Sequence, residues 1–245
     1  MFNWLSFRKE KELDPINFSV LETDMHSHLI PAIDDGSPDL ETSINLIKEL
    51  KDLGYRKIIT TPHVMSDFYQ NDSSIILKGL KSLSDEIKIQ SIDIEIAAAA
   101  EYYVDFDFEA KISKEEFLTF GDNYILIELS FAEPPPNLYD IIFKLQLEKY
   151  KVILAHPERY MYFGYDEYKD LVSRGVLLQI NVLSMIGYYS PIIEKKTKEL
   201  IKNDFVSFIG TDCHNITHAK LYKKCQRSIL WHNLISRNTL LNHTL

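Results

Sequence analysis

Short apolar runs alternate along most of the chain with stretches in which apolar residues recur every three or four positions. The runs at 57–61, 124–129 and 151–155 contain few polar residues, which is typical of parallel strands buried on both faces. The intervening stretches, such as 40–50, have the spacing of amphipathic helices. The pattern predicts about seven βα units in one α/β domain.

Local signals refine this outline. Residues 18–24 predict the first strand, and Ser37 with Pro38 predicts the N-cap and first position of the first long helix. The sequence near Glu115 indicates a short helix, and the spacing at the end of the chain indicates one last helix over 218–234.

A closed or nearly closed α/β barrel fits this alternation better than an open sheet, and such barrels gather their sites at the carboxyl ends of the strands. Histidines and carboxylates follow almost every predicted strand. In an extended strand, residues i and i+2 face the same side, so the first two histidines would point together. The candidates are His26, His28, Asp34 or Asp35, His63, Glu101, Glu128, His156, Asp212 and His214.

Mixed imidazole and carboxylate ligands suit manganese, iron, zinc or magnesium. The set is larger than one ion can use, and clustered ions serve the hydrolysis of phosphate esters. Taken singly, each residue has an ordinary alternative: His63 as a loop histidine, Glu128 in a salt bridge, Asp212 in a turn. Their joint position at the strand ends favours a metal centre. Arg159 would bind phosphate bidentately or pair with a buried carboxylate such as Glu158.

Composition excludes several classes of protein. A net charge of -9 argues against nucleic acid as a partner, and two cysteines are too few for a disulfide framework, which favours a reducing cytoplasm. The sequence contains neither a signal peptide nor about 18 consecutive apolar residues. A cysteine phosphatase needs arginine six positions after its cysteine, but Ala219 and Trp231 stand there instead.

Residues 1–20 are expected to form an N-terminal extension, and residues 21–245 the domain. Four apolar residues precede a charged cluster in this extension: Phe2, Trp4, Leu5 and Phe7. They suggest either a docking element for a membrane or partner or a segment packed on the domain, and the second interpretation is favoured.

An ordered series of motifs resembles the polymerase-and-histidinol-phosphatase (PHP) superfamily. It comprises DMHSHLIPAIDDGS, GYRKIITTPH, AAAAEYY, ILIELS, AHPERY, QIN and GTDCHN. Within the superfamily it is similar to the bacterial tyrosine-protein phosphatases of capsule and exopolysaccharide operons, the CpsB/CapC/YwqE type. The resemblance covers nearly the whole chain from about Leu21. It implies a distorted (β/α)7 barrel that holds three divalent ions, usually manganese.

The resemblance also implies a division of the ligands, and it favours Asp35 over Asp34. The first ion would take His26, His28, Glu101 and Asp212. The second would take Glu101, Glu128 and His156, and the third Asp35, His63 and His214. A metal-activated hydroxide would attack phosphotyrosine, with Arg159, His214 and Asp35 as catalytic residues.

One departure concerns substrate binding. Some members of the family carry an arginine shortly after the Asp-x-His motif, whereas residues 215–220 contain none. His218 or Lys220 would replace it, or Arg159 would act alone. Tyr102, Tyr103 and Phe131 would either line a cleft for the phosphotyrosine ring or pack within the barrel.

The implied substrate is the phosphorylated C-terminal region of a bacterial tyrosine kinase that controls capsular or exopolysaccharide synthesis or export. The enzyme would lie in the cytoplasm and reach the membrane through that kinase, and it could form oligomers. The alternatives are a small-molecule phosphoesterase, such as a histidinol-phosphate phosphatase, and a non-catalytic regulatory barrel.

Overall fold

A computed structural model describes residues 13–237 and 240–245. Within those residues, nine short strands alternate with eight α-helices. The strands are β1 (Thr23–Asp24), β2 (Lys57–Thr60), β3 (His63–Val64), β4 (Glu95–Ala98), β5 (Glu101–Tyr103), β6 (Tyr124–Glu128), β7 (Lys151–Ala155), β8 (Leu177–Asn181) and β9 (Val206–Gly210). The helices are α1 (Leu40–Asp52), α2 (Ser73–Ile89), α3 (Phe108–Lys111), α4 (Leu138–Leu147), α5 (Tyr165–Ser173), α6 (Pro191–Lys202), α7 (Ile216–Cys225) and α8 (Ile229–Arg237).

The strands pair in parallel in two sheets, with orders β1-β2-β4 and β3-β5-β6-β7-β8-β9. Only two residues separate β2 from β3, and two separate β4 from β5, so each pair occupies one strand position. The two sheets are therefore consecutive parts of one wall with seven strand positions. The breaks lie where strands enter the candidate site, which explains the distortion of the barrel.

Backbone hydrogen bonds close the wall by joining the segments that follow β9 and β1. Ser27 and Cys213 form a parallel bridge. The amide of His28 donates to the carbonyl of Cys213 at 3.0 Å, and the amide of Asp212 donates to that of His26 at 2.8 Å. The prediction of a seven-unit α/β barrel is confirmed.

The C-terminal segment joins the same two strands at the opposite end of the barrel. Asn242, which is fully buried, accepts a hydrogen bond from the amide of Ile209 at 3.0 Å. Its side-chain amide donates to the carbonyls of Thr23 at 3.0 Å and Ile209 at 2.8 Å. We call this arrangement the Asn242 latch.

Apolar side chains fill the barrel lumen below the candidate site. Ala99 and Leu126 precede Glu101 and Glu128 by two residues, so each lies on the same strand face as the carboxylate above it. Both belong to a buried cluster with Phe208. A larger apolar cluster packs the helices against the wall. The lumen thus has an apolar floor and a polar upper layer.

The first strand is shorter than the sequence predicts. Residues 18–20 form a 3-10 helix, and Glu22 has a positive φ of 62° that prevents continuous extension into β1. Phe18 packs instead against Tyr55 and Trp231, with ring centroids 5.5 and 5.0 Å away. The expected docking element at 2–7 lies outside the described residues.

Three helix boundaries also differ from expectation. Helix α1 is capped by Asp39, whose carboxylate accepts from the amide of Thr42 at 2.7 Å, while the hydroxyl of Ser37 donates to the carbonyl of Asp39. The short helix predicted near Glu115 lies at 108–111. The single last helix is two, because the chain turns at Gln226, whose carbonyl accepts from Ile16. None of the described helices is long and apolar enough to span a bilayer.

Candidate metal centre

The carboxylate of Glu101 lies at the middle of the polar layer and approaches four imidazoles. Its Oε2 is 3.1 Å from Nε2 of His26, 3.4 Å from Nε2 of His28 and 3.2 Å from Nδ1 of His63. Its Oε1 is 3.1 Å from Nε2 of His156. Glu101 is fully buried. The structure therefore brings together histidines from three separate strand ends around one carboxylate.

The residues expected to bind the first ion are all adjacent. Ligand atoms of His26, His28 and Glu101 form one group within 4.8 Å of one another. Asp212 joins this group, because its Oδ1 is 3.5 Å from Nε2 of His26 and 3.3 Å from Nε2 of His28. Asp212 follows β9 with a left-handed φ of 52°.

A second group contains His63 where the resemblance implies His156. Glu128 lies with Oε1 3.5 Å from Nε2 of His156 and Oε2 3.5 Å from Nδ1 of His63. Ligand atoms of His63, Glu101 and Glu128 all lie within 4.8 Å of one another. The ordinary alternative for Glu128, a salt bridge, would be made with these same imidazoles.

A third group lies at the mouth of the barrel and contains His28, Asp35, His63 and His214. Oδ1 of Asp35 is 3.6 Å from Nε2 of His63 and 3.4 Å from Nε2 of His214. Imidazoles of His28 and His214 stack with their centroids 4.0 Å apart. This group matches the expected third ligand set, with His28 added.

The geometry separates Asp34 from Asp35. Oδ2 of Asp34 lies 2.8 Å from Nδ1 of His28 and accepts from the amide of His63 at 3.1 Å. Asp34 therefore orients His28 so that its Nε2 faces Glu101, whereas Asp35 faces the cluster itself. A Cβ atom at Gly36 would lie 2.4 Å from the Cβ of His28, so this turn requires glycine.

The pKa shifts within the cluster indicate that it lacks positive charge. Burial, followed by the charge of Glu101, raises the pKa of Glu128 well above its usual range. Burial favours neutral His26, yet Glu101 and Asp212 outweigh it and raise the pKa of that imidazole. Burial also opposes ionisation of Asp212, but His26 and its neighbours hold its pKa well below the usual range. Divalent ions would supply the positive charge that these groups otherwise take from protons, so the residues fit a metal centre.

Arg159 occupies one side of the cluster, in a 3-10 turn that begins after His156. Its Cζ lies 4.5 Å from the ring centroid of Phe131 and 4.8 Å from that of Tyr189. Its Nη1 is 3.5 Å from Oδ2 of Asp212. The guanidinium is therefore held between two aromatic rings.

Glu158 does not pair with Arg159 through a close ion pair. Its Oε1 instead accepts hydrogen bonds from the amide of Asn181 at 2.8 Å and the hydroxyl of Ser184 at 2.7 Å. These contacts attach the turn that carries Arg159 to the end of β8.

An open cleft of about 340 Å³ lies over the cluster, within the range of about 300–1,000 Å³ common for small-ligand sites. Arg159 is the one lysine or arginine among the described residues that line it. The lining residues are Asp35, His63, Glu128, Phe131, His156, Arg159, Tyr189, Asp212, His214, Asn215 and His218.

The cleft distinguishes among the expected substrate-binding residues. His218 lines it, with Nδ1 3.3 Å from the carbonyl of Asp212, whereas Lys220 is exposed and does not. Tyr102 is buried elsewhere: its ring packs on Phe117 at 4.8 Å, and its hydroxyl accepts from the amide of Leu118 at 2.7 Å. The structure does not bring Tyr102 to the cluster.

Four residues of the site were not predicted from the sequence. Tyr189 and Asn215 line the cleft, and Gln179 and Asn181 lie buried behind it. The QIN motif carried a usable signal, because two amides two residues apart at the end of a buried strand must face one side and find polar partners.

Cys213 is fully buried, and burial raises the pKa of its thiol to about 12. A protonated, inaccessible thiol is a poor nucleophile. The exclusion of cysteine-based chemistry therefore agrees with the structure.

The fold and site define a parallel α/β barrel with a carboxylate and imidazole cluster, suited to divalent ions, at the carboxyl ends of its strands. The chain belongs to the CpsB/CapC family of capsular polysaccharide synthesis proteins, whose family model matches residues 22–232. The resemblance found in the motifs is thereby confirmed.

Curated relatives carry related names. The chain is 28% identical over 196 residues to the tyrosine-protein phosphatase YwqE of Bacillus subtilis, which covers 79% of this chain and 77% of YwqE. It is 26% identical over 207 residues to the tyrosine-protein phosphatase CpsB of Streptococcus pneumoniae, with 81% and 85% covered.

Solved structures extend the comparison to the fold. A structure from work on YwqE and CpsB, described as unique metal-dependent tyrosine phosphatases, matches with a TM-score of 0.76 and 26% identity, and covers 87% of this chain and 85% of that one. An amidohydrolase from Mycoplasma synoviae, 13% identical with a TM-score of 0.54, shares the fold; the match covers 96% of this chain and 88% of that one.

Proposed function

We propose that this protein is a metal-dependent protein-tyrosine phosphatase that does not use cysteine. One observation carries the proposal: nine side chains of the ligand type converge at the carboxyl ends of the strands, beside one arginine, in a member of the CpsB/CapC family. The names of the relatives and the description of the matching structure support the same activity.

Three divalent ions, with manganese as the preferred metal and iron, zinc or magnesium as alternatives, would occupy the three groups. The first would be held by His26, His28, Glu101 and Asp212, the second by Glu101, Glu128 and His156, and the third by Asp35, His63 and His214. Bound ions of this kind supply a nucleophile from water at neutral pH and neutralise phosphate charge.

The protein's own groups would bind and orient the substrate. Arg159 would donate to phosphate oxygens from its fixed position between Phe131 and Tyr189. His218 borders the same cleft and would contact the phosphate where other family members place an arginine. Because the phenolate of tyrosine is a fair leaving group, with a phenol pKa of about 10, no strong general acid is required.

The proposed substrate is phosphotyrosine in the C-terminal region of a bacterial tyrosine kinase that controls capsule or exopolysaccharide synthesis. This assignment follows from the family rather than from a surface of the described residues. The enzyme would work in the cytoplasm, at the membrane only through that kinase. Residues 1–20 would be an extension and residues 21–245 the catalytic domain.

The test is hydrolysis of a phosphotyrosine peptide by metal-stripped protein before and after manganese is restored. Phosphoserine peptide and histidinol phosphate serve as parallel substrates. Activity that returns with manganese and favours phosphotyrosine is the expected result. Preference for histidinol phosphate would instead assign a small-molecule phosphoesterase. Inactivity on all three, despite metal uptake, would assign a regulatory barrel.

A further inference from the structure

A chain of buried side-chain amides connects two candidate ligands of the first ion behind the cluster. Nδ1 of His26 lies 2.8 Å from Oε1 of Gln179, and Nε2 of Gln179 donates to Oδ1 of Asn181 at 2.9 Å. Nδ2 of Asn181 donates to Oδ2 of Asp212 at 2.6 Å. Both amides are fully buried. We call this chain the amide relay.

A glycine in the barrel wall, Gly210, leaves room for the relay. Gln179 lies on β8, and His26 follows β1, so β9 lies between them. Gln179 reaches across β9 at Gly210, where a Cβ atom would lie 2.6 Å from the Cβ of His26 and 3.0 Å from Nε2 of Gln179. A side chain at residue 210 would therefore separate the two groups.

The relay has only one consistent direction. Ionised Asp212 can only accept, so Asn181 must present its amide nitrogen to it and its oxygen to Gln179. Gln179 must then donate to Asn181 and turn its own oxygen to His26. That oxygen can only accept, so His26 carries its proton on Nδ1. Its Nε2, which faces Glu101 and Asp212, is left as the metal-ligating atom.

We propose that Gln179 and Asn181 are positioning residues of the metal centre. Their hydrogen bonds link His26 to the carboxylate of Asp212 and so fix the ring orientation and tautomer of that histidine. The inference rests on the proposed metal ligands and adds two residues that do not touch the ions. Partners of this kind commonly change metal affinity by about 10- to 100-fold.

The first test measures Mn²⁺ binding to the full chain by equilibrium dialysis with metal analysis. Gln179→Met keeps the side-chain volume but removes both hydrogen bonds, and should weaken uptake of an ion by about 10- to 100-fold. Gln226→Met is the matched control, because Gln226 is also buried but donates to the carbonyl of Leu53, outside the cluster. It should bind Mn²⁺ as the wild type does.

A second variant separates the relay from a simple contact to His26. Asn181→Leu leaves the contact between Gln179 and His26 in place but removes the donor to Asp212, so it should also bind Mn²⁺ more weakly. In the metal-free protein at alkaline pH, where His26 is neutral, nitrogen NMR of His26 should show the Nδ1-protonated tautomer in the wild type and a mixture in Gln179→Met. This readout depends on neither metal nor activity, and it also serves if Mn²⁺ binding proves hard to resolve.

The outcomes separate this inference from the proposed function. Wild-type affinity in both Gln179→Met and Asn181→Leu, or an unchanged His26 tautomer in Gln179→Met, would overturn the relay while leaving the phosphatase proposal intact. A loss of Mn²⁺ affinity equal to that of Gln226→Met would also overturn it, because the effect would then be one of fold stability. Failure of the wild type to bind Mn²⁺ would overturn the metal centre, and the role of the relay with it.

Discussion

The guanidinium of Arg159 lies 4.5 Å from the ring centroid of Phe131, whose other neighbours include the imidazole of His156 at 5.9 Å. Phe131 thus connects the proposed phosphate-binding arginine to a proposed metal ligand, although it bears no polar atom. The ring is 47% exposed, so its position at the cleft is better explained by its contact with Arg159 than by core packing.

Replacing Phe131 by leucine should weaken substrate binding through Arg159. Loss of one cation–π contact, worth about 0.5–2 kcal/mol, corresponds to an increase in KM of about 2- to 30-fold on a phosphotyrosine peptide, with a smaller change in kcat. Steady-state kinetics would measure both. Phe143→Leu, at an exposed phenylalanine of α4, is the control, and an equal effect there would contradict the assigned role.

Glu101→Gln should remove metal from more than one position, because its carboxylate approaches four imidazoles. We expect metal content per chain to fall and phosphatase activity to drop by more than about 100-fold, beyond the effect typical of residues outside the ligand set. Metal analysis and kinetics on the same preparations would test this. Glu109→Gln, at a partly exposed glutamate of α3 paired with Lys144, should retain both, and full metal content in Glu101→Gln would refute the central position of Glu101.

Glu158 should make the stability of the metal-free protein depend on pH. Burial raises its pKa from 4.5 to about 7, so between these values the folded state holds a proton that the unfolded state has lost. The free energy of unfolding should therefore fall as pH rises from about 4.5 to about 7, by up to about 3 kcal/mol. Urea unfolding across this range would show the slope.

Glu158→Gln should flatten that profile, since the substituted amide does not titrate. Glu133→Gln, at an exposed glutamate of the loop after β6, should leave the slope unchanged. A slope that persists in Glu158→Gln would assign the proton to another group.

Lys196 of α6 should stabilise the turn that carries Arg159. Its ammonium donates to the carbonyls of Tyr160 at 2.8 Å and Met161 at 3.4 Å, and also to that of Phe163. Lys196→Met should lower the free energy of unfolding by about 1–3 kcal/mol, because buried carbonyls lose their donor. Thermal unfolding would measure it against Lys198→Met, an exposed lysine on the same helix.

The sequence alone predicted the features that repeat along the chain or follow a hydrophobic periodicity. Apolar runs predicted the parallel strands, and the rule that barrel sites lie at strand ends predicted that residues as distant as His28 and His214 would meet. Boundaries set by single tertiary contacts were not predictable: the turn at Gln226 depends on Ile16, more than 200 residues earlier in the chain.

Within the site, the sequence predicted which residues would gather but not how each side chain would be oriented. Asp34 and Asp35 are chemically alike, and only the backbone turn at Gly36 places one behind His28 and the other toward the cluster. Tyr102 follows Glu101 directly, so on a strand it must face the opposite side, which agrees with its packing on Phe117. The spacing of Gln179 and Asn181 indicated two buried amides that need polar partners, but the partner of Gln179, His26, is defined only once the barrel closes.

The Asn242 latch has a consequence for the order in which the protein matures. The strands it joins are the first and the last of the barrel, and the candidate first ion needs His26 after the one and Asp212 after the other. On the ribosome, a nascent chain would therefore hold most of its βα units, and most of its ligand residues, before its first and last strands could be latched together. Metal loading would then follow the pairing of the first and last strands through Asn242 rather than the appearance of the first histidines.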